Sequence, residues 1–350
     1  MGHLQNAMKP VVAIASIFLC VVLLSSCGGS STGGGGAKPS GGSEETLDVY
    51  NFELSYLNSN PLGVYYTAYA KSVEIREGTS GIFTGTYTPK TGAYTINYLS
   101  MLNISTTLWD DLSNTFTIQV KEAVKSSGNE FPDEGKILII DKGANLITMT
   151  LSSKGVSLIH NYDTPLFIPW NDFAKLISSP DTWKQQAALA LSVITLVSSQ
   201  IDLAMDSVIT INDNKDTISK SADHKQTIPC DALSGTDQSI RSLQWRDTNG
   251  NKILGTGDDF LLTFGNCWEN DPKTKVDSLL FGPVHLTNYI EETKTVNNTL
   301  LLTKTGFSIE YDGLTVSETV ENPSGTFTID TTRTRILDGG FSITFSEPTP

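Results

Sequence analysis

The sequence has 350 residues, with 24 Lys and Arg against 38 Asp and Glu, which gives a formal net charge of −14 at pH 7. Hydrophobic residues make up 39% of the chain, a composition that supports a folded core and excludes an intrinsically disordered protein. The acidic balance argues against nucleic-acid binding, which depends on clustered Lys and Arg side chains. The length allows about two domains or one large β unit.

Residues 1–26 have the pattern of a secretory signal peptide. Lys9 precedes an apolar run of 14 residues, Val11–Leu24, which is interrupted only by Ser16. A helix that crosses a bilayer needs about 20 apolar residues, so this run is too short to span one. A short apolar run behind a positive charge is typical of a signal peptide.

A lipidation motif follows at Leu24-Ser25-Ser26-Cys27. It resembles the lipobox of bacterial lipoproteins: an aliphatic residue, two small residues and then cysteine. The resemblance implies cleavage before Cys27, lipidation of its thiol, and attachment of the protein to a membrane. Gly28 and Gly29 stand where an Asp resembles an inner-membrane retention signal, which favours the outer membrane. The alternatives are an ordinary cleaved signal and an uncleaved anchor.

Residues 27–46 are expected to form the lipidated cysteine and a flexible tether. Residues 28–43 contain Gly and Ser with no large apolar side chain, so burial cannot offset the entropy lost on ordering. Of the remaining cysteines, Cys20 lies in the signal, and Cys230 and Cys267 form the single pair in the body. An even number in an exported protein predicts a disulfide, with two buried thiols or half a metal site as alternatives.

Residues 47–179 read as an N-terminal β region. A turn at Pro89–Gly92 separates two candidate strands, and residues 115–120 alternate polar and apolar side chains. Three short runs at residues 136–140, 146–151 and 156–159 predict a meander. The aromatic residues between Tyr50 and Tyr69 fit a half-buried strand, with a sugar- or partner-binding surface as the alternative.

The period changes in the segment 180–212. Apolar residues recur every three or four positions from Trp183 to Met205, which predicts one buried α-helix at about 181–205. Residues 206–221 are polar and are expected to form a loop. The helix is interpreted as core packing against a sheet, and the alternative is one wall of a hydrophobic ligand cavity.

Residues 213–350 form the predicted C-terminal β region. Candidate strands recur from Ile240 to Phe345, among them residues 278–281 and 284–290, with turns expected at Asp312-Gly313 and Asn322-Pro323. The fold class is therefore mainly β: an antiparallel sheet, sandwich or barrel-like structure with one long buried helix.

The segment Asp247-Thr-Asn-Gly-Asn-Lys-Ile-Leu-Gly-Thr-Gly-Asp258 resembles the calcium loop of EF-hand proteins. The resemblance implies calcium ligands at Asp247, Asn249, Asn251 and Asp258, with the Ile253 carbonyl at the seventh place. Hard cations such as Ca²⁺ prefer six to eight oxygen ligands of this kind. The segment departs from the family because Lys252 replaces Gly, Asp258 replaces Glu, and the flanks read as strands. A plain polar hairpin loop is the alternative.

Motifs of enzyme active sites are missing from the sequence. It lacks a Gly-x-Ser-x-Gly elbow, a His-Glu-x-x-His helix and a Gly-rich phosphate loop. We therefore expect a non-enzymatic, membrane-anchored protein of the cell envelope that binds an envelope protein or a glycan. The alternatives are a calcium-assisted adhesion or carbohydrate-binding module and a hydrophobic-ligand carrier. No resident cofactor is expected apart from calcium.

Overall fold

The computed structural model describes residues 49–68, 71–77, 82–108, 115–129, 131–230, 240–270, 277–296, 299–321 and 327–348. The described chain is mainly β, with 16 strands in one antiparallel sheet and one long buried helix. The predicted fold class is confirmed in this form.

The first ten strands precede the helices. They are β1 Tyr50–Tyr56, β2 Leu62–Tyr66, β3 Lys71–Glu77, β4 Ile82–Thr88, β5 Ala93–Thr106, β6 Thr115–Ser126, β7 Glu134–Asp141, β8 Leu146–Ser152, β9 Gly155–His160 and β10 Leu166–Pro169. A short helix α1, Trp170–Phe173, and a 3₁₀ turn, Ala174–Ser178, lead to the long helix α2, Thr182–Lys220. The remaining strands are β11 Lys225–Pro229, β12 Ile240–Arg246, β13 Asp259–Asn270, β14 Asp277–Val296, β15 Thr299–Glu321 and β16 Phe327–Ser346.

The first and last strands of the chain lie side by side at the centre of the sheet. The order is β10-β9-β8-β7-β6-β5-β3-β2-β16-β15-β14-β13-β12-β11. Strands β1 and β2 follow each other along β16, and β4 and β3 occupy successive lengths of β5. The N-terminal and C-terminal β regions therefore belong to one sheet, and α2 lies in the connection between its two edge strands.

Strict alternation explains the strands of the N-terminal half. In β1 the buried side chains are Tyr50, Phe52, Leu54 and Tyr56, and the intervening residues are more exposed. The period of two places every second side chain on the same face, so one face of the sheet is the core face. The predicted hairpin at residues 89–92 and the predicted meander, now β7 to β9, are confirmed.

The predicted helix is present but extends further than expected. It runs from Thr182 to Lys220, so the prediction of a loop at residues 206–221 is wrong. The reason is that Val208, Ile211 and Ile218 continue the apolar face and are fully buried. Polar residues between them lie on the more exposed side, as in other amphipathic helices. The apolar first half of α2 is buried nearly all round, which agrees with the core-packing interpretation.

Length and hydropathy alone would let α2 cross a membrane. It is the one helix in the described part of the chain that meets that test, and 89% of its most apolar window is buried inside the protein. This burial is what a core helix requires.

Three buried tyrosines connect the sheet to polar residues of α2. The Tyr56 hydroxyl donates to Gln200 Oε1 at 2.7 Å. Tyr87 interacts with Asp202, and Tyr94 interacts with Ser198. Burial is the largest cause that raises the pKa of each phenol, and the carboxylate of Asp202 adds to the rise for Tyr87 and Tyr94, so all three stay neutral at physiological pH.

The last three strands are longer than the sequence predicts. The candidate strands 278–281 and 284–290 are both parts of β14, which is continuous although its register with β15 shifts between Phe281 and Val284. The shift arises opposite, in β15, where Asp312-Gly313 is a bulge and not a turn, and Gly313 has a φ of 68° there. A bulge places extra residues in one strand and bends it without ending it. The turn predicted at Asn322-Pro323 lies outside the described residues.

Candidate functional site

The candidate calcium loop is the hairpin loop between β12 and β13. Arg246 and Asp259 are paired across the two strands, so residues 247–258 are the whole connection. The loop bonds to the far end of β14 through Tyr289 and Glu291. These contacts hold its second half against the sheet.

In the first half of the loop, side-chain oxygens accept hydrogen bonds from the loop's own backbone amides. Asp247 Oδ2 accepts a 2.9 Å hydrogen bond from the Lys252 amide. Asn249 Oδ1 accepts from the Asn251 amide at 2.9 Å, and Asn251 Oδ1 accepts from the Ile253 amide at 2.7 Å. The side-chain oxygens at the first, third and fifth places thus each accept a hydrogen bond from a backbone amide of the loop itself.

Lys252 adopts the backbone conformation that normally requires glycine at this position. Its φ is 62°, in the left-handed region that residues with a Cβ rarely occupy. The departure from the family pattern noted in the sequence therefore does not prevent the loop from closing. The Lys252 amide is held by the carboxylate of Asp247, which offsets part of the conformational cost.

Asp258 lies at the base of the loop and is fully buried. Its Oδ2 atom accepts hydrogen bonds from Trp245 Nε1 at 2.9 Å and from the Gly255 amide at 3.0 Å. Its Oδ1 atom is buried and has no hydrogen-bond partner among the described residues, and the same is true of Asp247 Oδ1. Buried carboxylate oxygens without partners are costly, and a cation bound to such an oxygen offsets that cost.

The donor set of this loop is suited to a hard cation and not to a transition metal. Across the described ranges, no group of three or more His, Cys, Asp or Glu side chains is placed to hold a metal ion. A cation in the loop would therefore have two carboxylates, from Asp247 and Asp258. The amide oxygens of Asn249 and Asn251 and the carbonyl of Ile253 would complete the set. Few charged ligands favour weak binding.

The predicted disulfide is present between Cys230 and Cys267, with a Cα–Cα distance of 5.6 Å. It ties the residue after β11 to β13, two strands further along the sheet order. The edge strand β11 is thereby joined covalently to the interior of the sheet. The predicted lipidation site, Cys27, lies outside the described residues.

The histidines of the body are separated from one another and pack against aromatic rings or sheet neighbours. His160 stacks on Trp183 at 5.0 Å and lies 3.7 Å from the Asp163 carboxylate. His224 contacts the edge of Trp245 at 4.7 Å. These arrangements fit structural histidines.

An open cleft of about 340 Å³ lies at the ends of β4 to β7. It is lined by residues of β4 to β7 and of the turn between β6 and β7, among them Thr86, Thr88, Tyr94, Thr95, Lys125 and Asp133. A hydrophobic-ligand carrier needs an apolar pocket of this size or larger. The carrier hypothesis places its cavity between the sheet and α2. None of the residues that line this cleft belongs to α2, so the cleft is not that cavity.

A buried ion pair that the sequence does not single out joins β15 and β16. Arg335 Nη1 lies 3.3 Å from Glu318 Oε1, and the two side chains are 1% and 0% exposed. The alternation of β16 could have indicated it, because Arg335 shares the inward face with Leu337, Phe341 and Ile343.

No protein-family model matches the sequence, and no curated protein is significantly similar to it.

Proposed function

We propose that this protein is a lipoprotein of the cell envelope, anchored by a lipid on Cys27 and exposing a non-enzymatic binding body. The observation that carries the proposal is the order signal peptide, lipobox and Gly-rich tether directly before a folded domain. One acyl chain anchors a protein only marginally, whereas two or more hold it stably on a bilayer. A disulfide in the body is consistent with an oxidising compartment outside the cytoplasm.

The tether sets how far the body can lie from the membrane. The proposed tether after Cys27, residues 28–46, has 19 residues, and a flexible Gly-rich chain of that length has a root-mean-square span of about 24 Å. We propose that the body lies close to the membrane surface, with an outer-membrane location favoured by Gly28 and Gly29. The partner is an envelope protein or a glycan, and no role in binding nucleic acid is proposed.

Metabolic labelling with a palmitate analogue tests the anchor. The wild-type protein should incorporate the label and fractionate with membranes, and Cys27→Ala should lose the label and become soluble in the exported fraction. Cys20→Ala is the matched control, because Cys20 lies in the signal segment and should leave labelling unchanged. Labelling that survives Cys27→Ala would contradict the proposal.

We further propose that the 247–258 loop binds calcium. The observation that favours it is that Asp247 and Asp258 each have a buried carboxylate oxygen with no hydrogen-bond partner in the described part of the chain, in a loop that is closed by its own side chains. With two carboxylates the affinity is expected to be weak, about 10⁻⁴ to 10⁻³ M as in extracellular modules. In this role calcium stiffens the loop that presents Ile253, whose side chain is 70% exposed.

Calcium titration of the purified body tests this second proposal. Because Trp245 donates to Asp258, its fluorescence should change on binding, and calcium should raise Tm more than magnesium at equal concentration. Asp247→Asn should abolish the response, whereas the exposed Asp312→Asn should leave it intact. An unchanged Tm and a flat calorimetric titration at 10 mM calcium would contradict the proposal and leave the lipid anchor unaffected.

A further inference from the structure

The guanidinium of Arg335 is hydrogen-bonded on one side only. Its Nη1 atom pairs with Glu318, but Nε and Nη2 are buried and have no hydrogen-bond partner among the described residues. In a planar guanidinium the Nε and Nη2 N–H groups lie on the same edge and point in parallel. That edge is the fork with which arginine binds the two oxygens of a carboxylate or phosphate.

The surroundings leave this fork without access to bulk water. Arg335 is 1% exposed and lies opposite Tyr66 of β2 and Val316 of β15 in the sheet register. Tyr66 is 3% exposed, and its hydroxyl oxygen is buried. Leaving charged N–H donors buried and unsatisfied is costly, so native proteins fill such positions with an ordered water, an ion or a ligand.

This fork lies far from the candidate calcium loop at residues 247–258. Glu318 is paired with Ser278 near the start of β14, whereas the 247–258 loop contacts Tyr289 and Glu291 toward the other end of that strand. A strand rises about 3.3 Å per residue, so the two places are about 35 Å apart along the sheet. Occupancy of one can therefore be tested without the other.

We propose that Arg335 is the anchor of a binding site for a small oxyanion, either a carboxylate or a phosphate group. The ligand accepts two hydrogen bonds from Nε and Nη2, while Glu318 holds the opposite side of the guanidinium and fixes its plane. Glu318 is a positioning residue in this site, and its negative charge lowers the affinity of the bound anion. A single water could accept from the fork as well, but its occupancy would not depend on added anions.

Thermal denaturation of the folded body distinguishes these occupants. Phosphate and acetate, each up to 10 mM, are compared with chloride at equal ionic strength and pH 7 without calcium. The wild-type Tm should rise with the logarithm of the concentration of the anion that binds, because the ligand binds only the folded state. A larger rise with phosphate indicates a phosphate site, and a larger rise with acetate indicates a carboxylate site. Equal Tm values in all three salts would show that water fills the fork and would overturn the proposal.

Two variants assign the effect to Arg335. Arg335→Lys keeps the charge but lacks the fork, and it should lose the anion-dependent rise in Tm. Arg76→Lys is the matched control at an exposed Arg–Glu pair, and it should respond like the wild type. If Arg335→Lys responds as the wild type does, the site is not at Arg335.

A third variant, Glu318→Gln, tests the anion site even if Arg335→Lys does not fold. Glu318→Gln retains the fork and removes the competing negative charge, so calorimetry should show the anion bound about tenfold more tightly. The stoichiometry should stay at one anion per chain. Binding that is unchanged or weaker in Glu318→Gln would contradict the arrangement proposed here.

Discussion

The hydroxyl of Tyr56 on β1 donates a 2.7 Å hydrogen bond to Gln200 Oε1 in the middle of α2. Both side chains are almost completely buried, and Gln200 Nε2 has no partner within the described ranges. Tyr56 is paired with Phe341 of β16, so this bond joins α2 to the central strands of the sheet.

We expect Tyr56→Phe to destabilise the protein by about 1–3 kcal/mol, because it leaves a buried amide oxygen without a donor. The double variant Tyr56→Phe/Gln200→Leu should recover part of that loss, since it removes both polar groups. Urea unfolding of the two single variants and the double variant gives the coupling energy directly. Strict additivity of the two single effects would show that the bond does not contribute to stability.

The second prediction concerns Ile194, which is fully buried on α2. Ile194→Val should cost about 0.5–1.5 kcal/mol and Ile194→Ala about 2–5 kcal/mol, because each leaves a larger cavity. Ile194→Asp should cost more than either, since it also buries an unpaired charge. Thermal unfolding should reproduce this order. A Tm for Ile194→Asp within a degree or two of the wild type would mean that α2 is not packed in the core.

The disulfide prediction can be checked by thiol chemistry. Cys230 and Cys267 should not react with a thiol reagent in the unreduced body and should both react after reduction and unfolding. Replacing both by Ala should lower stability by roughly 4 kcal/mol in the chain-entropy model for a loop of this size. Two reactive thiols in the folded, unreduced protein would contradict the pairing.

The fourth prediction is a pH dependence at Asp133, in the turn between β6 and β7. Burial acts to raise the pKa of this carboxyl, but hydrogen bonds from the Ser127 hydroxyl and amide and from Asn129 outweigh it, and the pKa is lowered. A lowered pKa means that the folded state binds fewer protons than the unfolded state. The stabilisation is therefore present above the ordinary pKa and is lost as the pH falls through the folded-state pKa.

Asp133→Asn removes this dependence. The variant should be less stable than the wild type at pH 7, and the difference should shrink between about pH 5 and pH 3. The exposed Asp223→Asn is the control, and it should track the wild type. Tm measured against pH for the three proteins checks the prediction, and a difference that grows toward low pH would give the opposite sign.

The local pattern was sufficient to predict some elements. Alternation at residues 115–120 identified a strand with Phe116 and Ile118 buried, and the three-to-four spacing after Trp183 identified the helix. The pairing of Cys230 with Cys267 followed from their being the two cysteines of the body. The strand and the helix were predictable from the spacing of apolar residues within one short segment, and the disulfide was predictable from the number of cysteines.

The residues at which the long helix and the long strands end were less predictable. Polar residues between 206 and 221 suggested a loop, but Ile211 and Ile218 are buried and continue the helix. Asp312-Gly313 has the composition of a turn, yet it is a bulge, because both sides of β15 remain paired with β16. An Asp-Gly dipeptide is compatible with a turn or with a bulge, and pairing with the neighbouring strand on both sides of it gives the bulge.

Local patterns in the sequence were enough to predict the mainly β class, one long buried helix, the disulfide partners and the twelve-residue loop at residues 247–258. Only the assembled tertiary structure places β1 beside β16, unites the two β regions in one sheet and buries Arg335 against Glu318. Periodicity records which face of a strand is apolar, but it does not record which distant strand supplies the neighbour. Contacts between residues far apart in the chain therefore appear only when the sheet is assembled.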